Sequence, residues 1–327
     1  MKALIPVAGV GTRLRPLTYT VPKALIGIAG RPILGHIVDL LVDAGVEEFC
    51  FITSYMGEEI RAWAEETYDL PMEWVVQKET LGLGHAVLQA EREVAGNPVF
   101  IVLGDTIFEA DVRSVLEKGG NSLGVMEVED PSRFGVVIVE GEKVVRLVEK
   151  PDQPLSYLAI AGLYHITQTD LLLECLNRLV EEDIRTRGEY QLTDALSLML
   201  KKEAAFRIFP LRAWYDCGLP ETVLATNRAL LKKVDGGRVR TQGEAIIIPP
   251  VYIGEEVVLQ GSVIGPYVSL EDGARVSGSV VRNSILGRNA AVEGAVLDGS
   301  LLGDNTVVVG RSMSLNVGDS SEINFEG

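Results

Sequence analysis

Two glycines are followed closely by three cations in the run Gly9-Val10-Gly11-Thr12-Arg13-Leu14-Arg15-Pro16-Leu17-Thr18-Tyr19-Thr20-Val21-Pro22-Lys23. Glycine lets a backbone approach a phosphate with no Cβ in the way, and successive N–H groups then point at the anion. For G-x-G alone a simple chain turn is the more ordinary reading. Two guanidiniums and an ammonium with no carboxylate beside them change it, because distant acids or a bound anion must balance them. The chain carries 46 acidic and 30 basic side chains, a formal net charge of −16. Its first acid is nevertheless Asp39, with Lys2, Arg13, Arg15, Lys23 and Arg31 ahead of it. An acidic protein with one positive end suits a small anion, whereas a nucleic-acid backbone needs a basic stripe.

Carboxylates come next. Asp105 ends the apolar run Val99-Phe100-Ile101-Val102-Leu103, and Asp216 follows Trp214-Tyr215. An isolated Asp at a strand end is more often a turn or cap residue. Beside a phosphate loop, two such carboxylates are the hard oxygen donors that suit Mg2+, which keeps substrate phosphates and water as its other ligands. Cys50, Cys175 and Cys217 form an odd, widely spaced set with no C-x-x-C, which suggests neither a disulfide framework nor a zinc site. His36, on an apolar helix face, and His165, in a strand, read as structural.

The elements that position these residues change character along the chain. To about residue 230, strand-like runs at Lys2 to Val7, Glu48 to Ile52, Glu73 to Gln77 and Val99 to Leu103 alternate with helical patterns, the mark of an α/β domain with a largely parallel sheet. Pro32 is expected at the first position of a helix carrying Ile33, Leu34, Ile37, Leu40, Leu41 and Ala44. Phe134 to Glu140 and Lys143 to Lys150 read as a hairpin through Gly141-Glu142, with helices resuming near Thr169 and Thr193. After Val234 aliphatics recur every five or six positions, from Ile247, Ile253 and Leu259 to Leu297, Leu302 and Val308, with Gly254, Gly265, Gly287 and Gly303 following members of the series. A period near six fits a parallel β-helix of three or four coils, whose edges call for a cap or a neighbouring subunit; a β-sandwich of short strands is the alternative. No apolar run approaches the length of a membrane span, and Met1-Lys2 leads straight into a strand, so a soluble cytoplasmic protein is expected.

The glycine loop, continued by a short apolar run to Arg31-Pro32, resembles the fingerprint of the sugar-1-phosphate nucleotidyltransferase family. The resemblance continues in order through Gln77, Leu103-Gly104-Asp105, Phe134-Gly135-Val136, Val148-Glu149-Lys150-Pro151, Gly188-Glu189-Tyr190-Gln191-Leu192-Thr193-Asp194 and Trp214-Tyr215-Asp216-Cys217-Gly218. It implies a Rossmann-like α/β nucleotidyltransferase domain with a mixed, largely parallel sheet over residues 1–233, followed by a short left-handed parallel β-helix over 234–327. The implied reaction joins a nucleoside triphosphate to a sugar 1-phosphate and releases pyrophosphate. By the same resemblance Arg13 and Lys23 hold the triphosphate, wrapped by Gly9, Gly11 and Thr12. Asp105 and Asp216 hold Mg2+, and Lys150 contacts the sugar phosphate. Glu149, Gly135 and Tyr164 form the sugar pocket. Gln77 reads the base and Gly82 admits its plane. Glu149 and Lys150 are neighbours on a strand, so one of them needs a bend for both to serve one pocket.

Gly82-Leu83-Gly84-His85-Ala86 is similar to UTP-glucose-1-phosphate uridylyltransferases, while Leu103-Gly104-Asp105-Thr106-Ile107-Phe108 and the repeat tail are similar to long-form glucose-1-phosphate thymidylyltransferases. UTP and dTTP, with glucose 1-phosphate, therefore both stand as expected substrates. Ala24 and Gly27 depart from the family pattern just behind Lys23, and Arg15 is equally readable as a surface charge. Two further readings compete. One is a regulatory or scaffolding homologue that binds nucleotide-sugar without turnover. The other is an acyltransferase in the repeats, which the lack of any histidine after His165 disfavours. The tail is expected to make the protein a homo-oligomer, with no nucleic-acid or membrane partner.

Overall fold

The computed structural model describes residues 1–234, 240–242 and 244–310. Two compact units divide at Met1–Thr226 and Asn227–Gly327. The division falls inside a helix, earlier than the change in composition after residue 233, because the helix side chains from Asn227 onward engage the repeats. Ser269 Oγ donates to Asn227 Oδ1 at 2.7 Å, Arg228 donates to Asn283 Oδ1 at 2.8 Å, and Arg228 and Lys232 both lie over the ring of Tyr267.

The strands of the first unit are β1 (Lys2–Pro6), β2 (Gly27–Ile28), β3 (Arg31–Pro32), β4 (Glu48–Thr53), β5 (Met72–Val76), β6 (Val99–Val102), β7 (Thr106–Glu109), β8 (Asn121–Glu127), β9 (Gly135–Glu140), β10 (Lys143–Glu149), β11 (Leu158–Ile166), β12 (Phe206–Pro210) and β13 (Ala213–Asp216). Its helices are α1 (Ile33–Asp43), α2 (Gly57–Thr67), α3 (Leu83–Gln89), α4 (Glu91–Val94), α5 (Val112–Lys118), α6 (Thr169–Glu181) and α7 (Leu192–Lys201), and α8 (Pro220–Val234) runs into the second unit. Nine strands form one sheet in the order β5-β4-β1-β6-β11-β8-β12-β10-β9. The β5-β4-β1-β6 half is parallel, β8 and β12 are parallel to each other, and β11 is antiparallel to both β6 and β8. β9 and β10 make the expected hairpin through Gly141-Glu142. Strands in the middle of such a sheet are covered on both faces and so read as unbroken apolar runs. Ala3, Leu4 and Ile5 and all of Phe49, Cys50, Phe51 and Ile52 are sealed from solvent.

Pro32 lies one position before its helix, not inside it. Its backbone is extended, with ψ of 150°, because Gly27 pairs with Pro32 and Ile28 with Arg31 in the short β2–β3 ladder. Helix α1 then buries Ile33, Leu34, Ile37, Val38 and Leu41 along one stripe. The parallel half carries three candidate groups at its carboxyl edge, where open α/β sheets bind ligands. The glycine loop follows β1, Gln77 follows β5, and Leu103-Gly104-Asp105 follows β6.

The second unit is a stack of parallel coils. Three parallel ladders run through it, and the partners advance by seventeen residues and then sixteen: Ile246 lies beside Val263 and Val263 beside Val280, then Val280 beside Val296. These three parallel sheets of two- and three-residue strands, in four coils, have the arrangement of a left-handed β-helix, which excludes the sandwich alternative. Ile247, Ile264, Val281 and Leu270, Leu286 line its core. One corner of the coils carries Gly254, Glu271, Gly287 and Gly303 in stacked positions, as the bonds from Gly254, Glu271 and Gly287 N–H to Leu270, Leu286 and Leu302 show. The glycines there make room for the next coil's aspartate: a Cβ on Gly254 would sit 2.4 Å from Asp272 Oδ1, and one on Gly287 would sit 2.6 Å from Asp304 Oδ1. Those carboxylates accept from the Glu255 and Arg288 N–H groups, each at 2.8 Å. Above Glu271 the next coil offers Arg288 in place of an aspartate, and a side chain fits.

Candidate active site

The loop after β1 is a succession of short 3-10 turns, Thr12–Leu14, Leu17–Tyr19 and Lys23–Leu25. Gly11 takes φ of 68°, a conformation that costs a side-chain-bearing residue energy, and a Cβ there would press on Lys23 Cβ at 3.0 Å. The Thr18 hydroxyl donates to the Gly11 carbonyl at 2.8 Å and closes the loop over the buried stem of Lys23. Space beside Gly9 is open. Thr12 and Arg13 are exposed, and among the described residues Arg13 has no carboxylate partner. Arg15 lies over the ring of exposed Tyr19, 4.9 Å from its centroid.

Lys23 Nζ donates to Asp105 Oδ2 at 2.7 Å. The second carboxylate is brought alongside by a separate two-stranded ladder, β7 with β13, in which Asp216 stands opposite Thr106, the neighbour of Asp105. Cys217 reports the convergence. Its buried thiol is pushed up to about 12, mainly by loss of solvent, and it also feels Lys23, Asp105 and Asp216. Arg13 reaches the same place, for a Cβ on Gly218 would lie 2.9 Å from Asp216 Oδ1 and 3.2 Å from Arg13 Nη2. Two cations and two carboxylates are thus brought near one another.

A second group forms around the β9–β10 hairpin. Its register sets Gly135 directly opposite Glu149. A Cβ on Gly135 would meet Thr193 Oγ1 at 2.6 Å and Glu149 Oε2 at 2.8 Å, so the bare backbone there leaves space for both groups. The bend required between Glu149 and Lys150 is present. Lys150 lies just past the strand end with φ of 42°, its N–H donates to the Phe134 carbonyl at 3.0 Å, and its Nζ returns to within 3.3 Å of Glu149 Oε1. Tyr164 is buried, and burial together with the Glu149 charge holds its hydroxyl protonated well above the usual range. Asp194 is also raised by burial, against the pull of Thr186 and Lys150, and its Oδ2 is enclosed without a hydrogen-bond partner. Glu149, Lys150, Pro151, Thr186 and Arg187 line a cavity of about 300 Å³.

Gln77 and Gly82 make the third group. Gln77 is 3% exposed as a residue, and its side-chain amide donates to the Gly82 carbonyl at 3.3 Å. Gly82 takes φ of 112°, and a Cβ there would lie 2.6 Å from the Tyr190 carbonyl. Tyr190 O also accepts from the Gly84 N–H at 2.8 Å. The segment Tyr190 to Asp194 therefore spans from the Gly82 loop to Gly135. In sequence that segment stands out only by its resemblance, and nothing there marks a role for Thr193. His85, whose ring lies 3.1 Å from the Gln77 amide, also went unassigned. Only the crossing of these segments in space reveals either.

Residues 2–233 match the nucleotidyl transferase family. The chain belongs to that family. It is 35% identical over 276 residues to the bifunctional protein GlmU of Methanocaldococcus jannaschii, covering 84% of this chain and 61% of that one. The chain thus spans about three fifths of that relative's length. Against the UTP–glucose-1-phosphate uridylyltransferase AglF of Haloferax volcanii it is 33% identical over 68% of this chain and 93% of that one. With the glucose-1-phosphate thymidylyltransferase of Streptomyces antibioticus it shares 29% identity over 88% of this chain and 87% of that one. A solved UDP-glucose pyrophosphorylase complexed with UDP-glucose superposes with a TM-score of 0.61 at 27% identity, over 71% of this chain and 98% of that one. Among the described residues, no helix is long and apolar enough to cross a membrane.

Proposed function

We propose that the chain joins a pyrimidine nucleoside triphosphate, UTP or dTTP, to glucose 1-phosphate, giving a nucleotide-sugar and pyrophosphate. The observation that carries this is the convergence of Lys23, Asp105 and Asp216 around Cys217, with Arg13 beside them. Both substrates are anions, so catalysis is mainly positioning and neutralising charge while a sugar-phosphate oxygen approaches the α-phosphorus in line with the leaving group. Arg13 and Lys23 hold the triphosphate and stabilise departing pyrophosphate, with Gly9, Gly11 and Thr12 wrapping it. Lys150 holds the sugar phosphate against the α-phosphorus. Glu149 and Thr193 accept from and donate to sugar hydroxyls over the bare backbone of Gly135, with Tyr164 closing the pocket. Gln77 faces the base edge and Gly82 leaves room for its plane.

The adjacent carboxylates of Asp105 and Asp216 fit a hard divalent cation, and they would hold magnesium. When bound, the metal supplies charge neutralisation on the phosphates. The uridylyl- and thymidylyltransferase relatives support the reaction class, and both bases stay within it. We place the reaction in the cytoplasm, in keeping with three free, buried cysteines.

Pyrophosphate release from UTP or dTTP with glucose 1-phosphate and magnesium tests the reading. Release is expected, and Asp105→Asn should lower kcat by about a hundredfold or more while leaving the circular dichroism spectrum unchanged. No release with any nucleoside triphosphate and sugar phosphate, from a protein that still binds nucleotide-sugar, would instead identify a non-catalytic homologue.

A further inference from the structure

The surroundings of Gln77 determine which half of its amide is presented to a ligand. Its backbone is pinned at the end of β5, where its N–H donates to the Thr53 carbonyl at 2.8 Å. The side-chain nitrogen has two neighbours, the Gly82 carbonyl at 3.3 Å and His85 Nδ1 at 3.1 Å. A carbonyl can only accept, so the contact with Gly82 identifies the amide nitrogen independently of the histidine. His85 Nδ1 must then accept as well, which puts the imidazole proton on Nε2. The structure sets the side-chain nitrogen of exposed Gln89 3.2 Å from it, so a proton on Nε2 requires that amide to be turned over, with its oxygen accepting.

Both amide hydrogens of Gln77 are therefore used by the protein. Its Oε1 has no donor among the described residues and is not one of the enclosed, unpartnered atoms. Reversing the amide would lose two hydrogen bonds and set an oxygen against the Gly82 carbonyl and the bare ring nitrogen of His85. The loop cannot be re-laid to relieve this, because Gly82 and Gly84 are both held against Tyr190, whose ring lies 6.4 Å from that of His85.

We infer that His85 is a positioning residue that locks Gln77 with its oxygen outward, so that the pocket accepts a base offering an imide N–H and turns away one offering a bare ring nitrogen. Uracil and thymine carry N3–H and fit. Cytosine has an unprotonated N3 and meets oxygen with a lone pair. The inference rests on the reading of Gln77 as the group that faces the base, and deepens it by naming what sets its polarity. Both proposed substrates, UTP and dTTP, would then be accepted, since N3–H is common to them and the 5-methyl group lies away from that edge.

The test is equilibrium binding of UTP, dTTP and CTP by titration calorimetry, using the intact chain, His85→Ala, His85→Asn and Gln77→Ala, with circular dichroism to establish that each is folded. The unaltered chain should bind UTP and dTTP at least about tenfold more tightly than CTP. His85→Ala frees the amide and should erase about tenfold of that ratio, while His85→Asn, whose Oδ1 replaces Nδ1 as the acceptor, should restore it. Gln77→Ala should abolish discrimination altogether. A ratio that survives His85→Ala, or that His85→Asn fails to restore, overturns the inference, and so does equal binding of UTP and CTP by the unaltered chain. Discrimination in binding without any pyrophosphate release would sink the proposed reaction and leave this assignment standing, so the two failures are distinguishable.

Discussion

At Lys150 the backbone occupies the left-handed region, with φ of 42°, which costs a residue bearing a Cβ about 1–2 kcal/mol. The turn is what brings the ammonium to the same side as Glu149, so local strain supports the placement of charge. Lys150→Gly should therefore be the unusual substitution that raises stability, by about 0.5–1 kcal/mol, while turnover falls by about a hundredfold or more. Thermal melting and pyrophosphate release on the same preparation check both halves, and a variant less stable than its parent would remove the strain argument. Residue types were the legible part of this site: Arg13, Lys23, Asp105, Asp216, Gln77 and Glu149 are chemistry-bearing groups in recognisable surroundings. Their partners were not legible. The proximity of Thr193 to Gly135 and of His85 to Gln77 depends on segments far apart in sequence crossing at one place, which no local spacing encodes.

Elements carry the next layer. The parallel half of the sheet and the β9–β10 hairpin follow from apolar runs and a turn, whereas the β7–β13 ladder, four residues a side, is too short to announce itself although it brings Asp216 to Asp105. In the β-helix the aliphatic period was readable, but the shortening of coils from seventeen to sixteen residues was not, because strands of two or three residues tolerate a deletion at a corner. Glu271 occupies another corner, with Oε1 enclosed and unpartnered. Burial raises its carboxyl from 4.5 to about 7, with Asp272 and Asp304 adding to the rise and Arg288 opposing it. A pKa raised by folding means the folded state prefers the proton. Stability is then fully present below about pH 4.5 and is lost as pH climbs through about 7, by up to about 3 kcal/mol. Glu271→Gln should flatten that decline in denaturant titrations between pH 4.5 and 8, and a level profile in the parent protein would contradict the burial argument.

For the whole molecule, the surface of the repeats is the telling feature: among the described residues the fourth coil shows Val296, Val307 and Val309 at 71%, 72% and 66% exposure. Strand edges with apolar side chains invite pairing, and association of like chains through this coil is the expected outcome. The intact protein should elute as an oligomer, and Val307→Lys should shift it to a smaller species; elution of the unaltered chain as a monomer would overturn the expectation. Charge offers a last consequence. Because Lys23 is already paired with Asp105 at 2.7 Å, the resting pocket is not an uncompensated positive hole despite its cations. Under the proposed function, arrival of a triphosphate would be an exchange of partners: the ammonium would pass from carboxylate to phosphate, leaving Asp105 free to hold a divalent cation. Nucleotide and metal would then favour each other's binding through that one lysine.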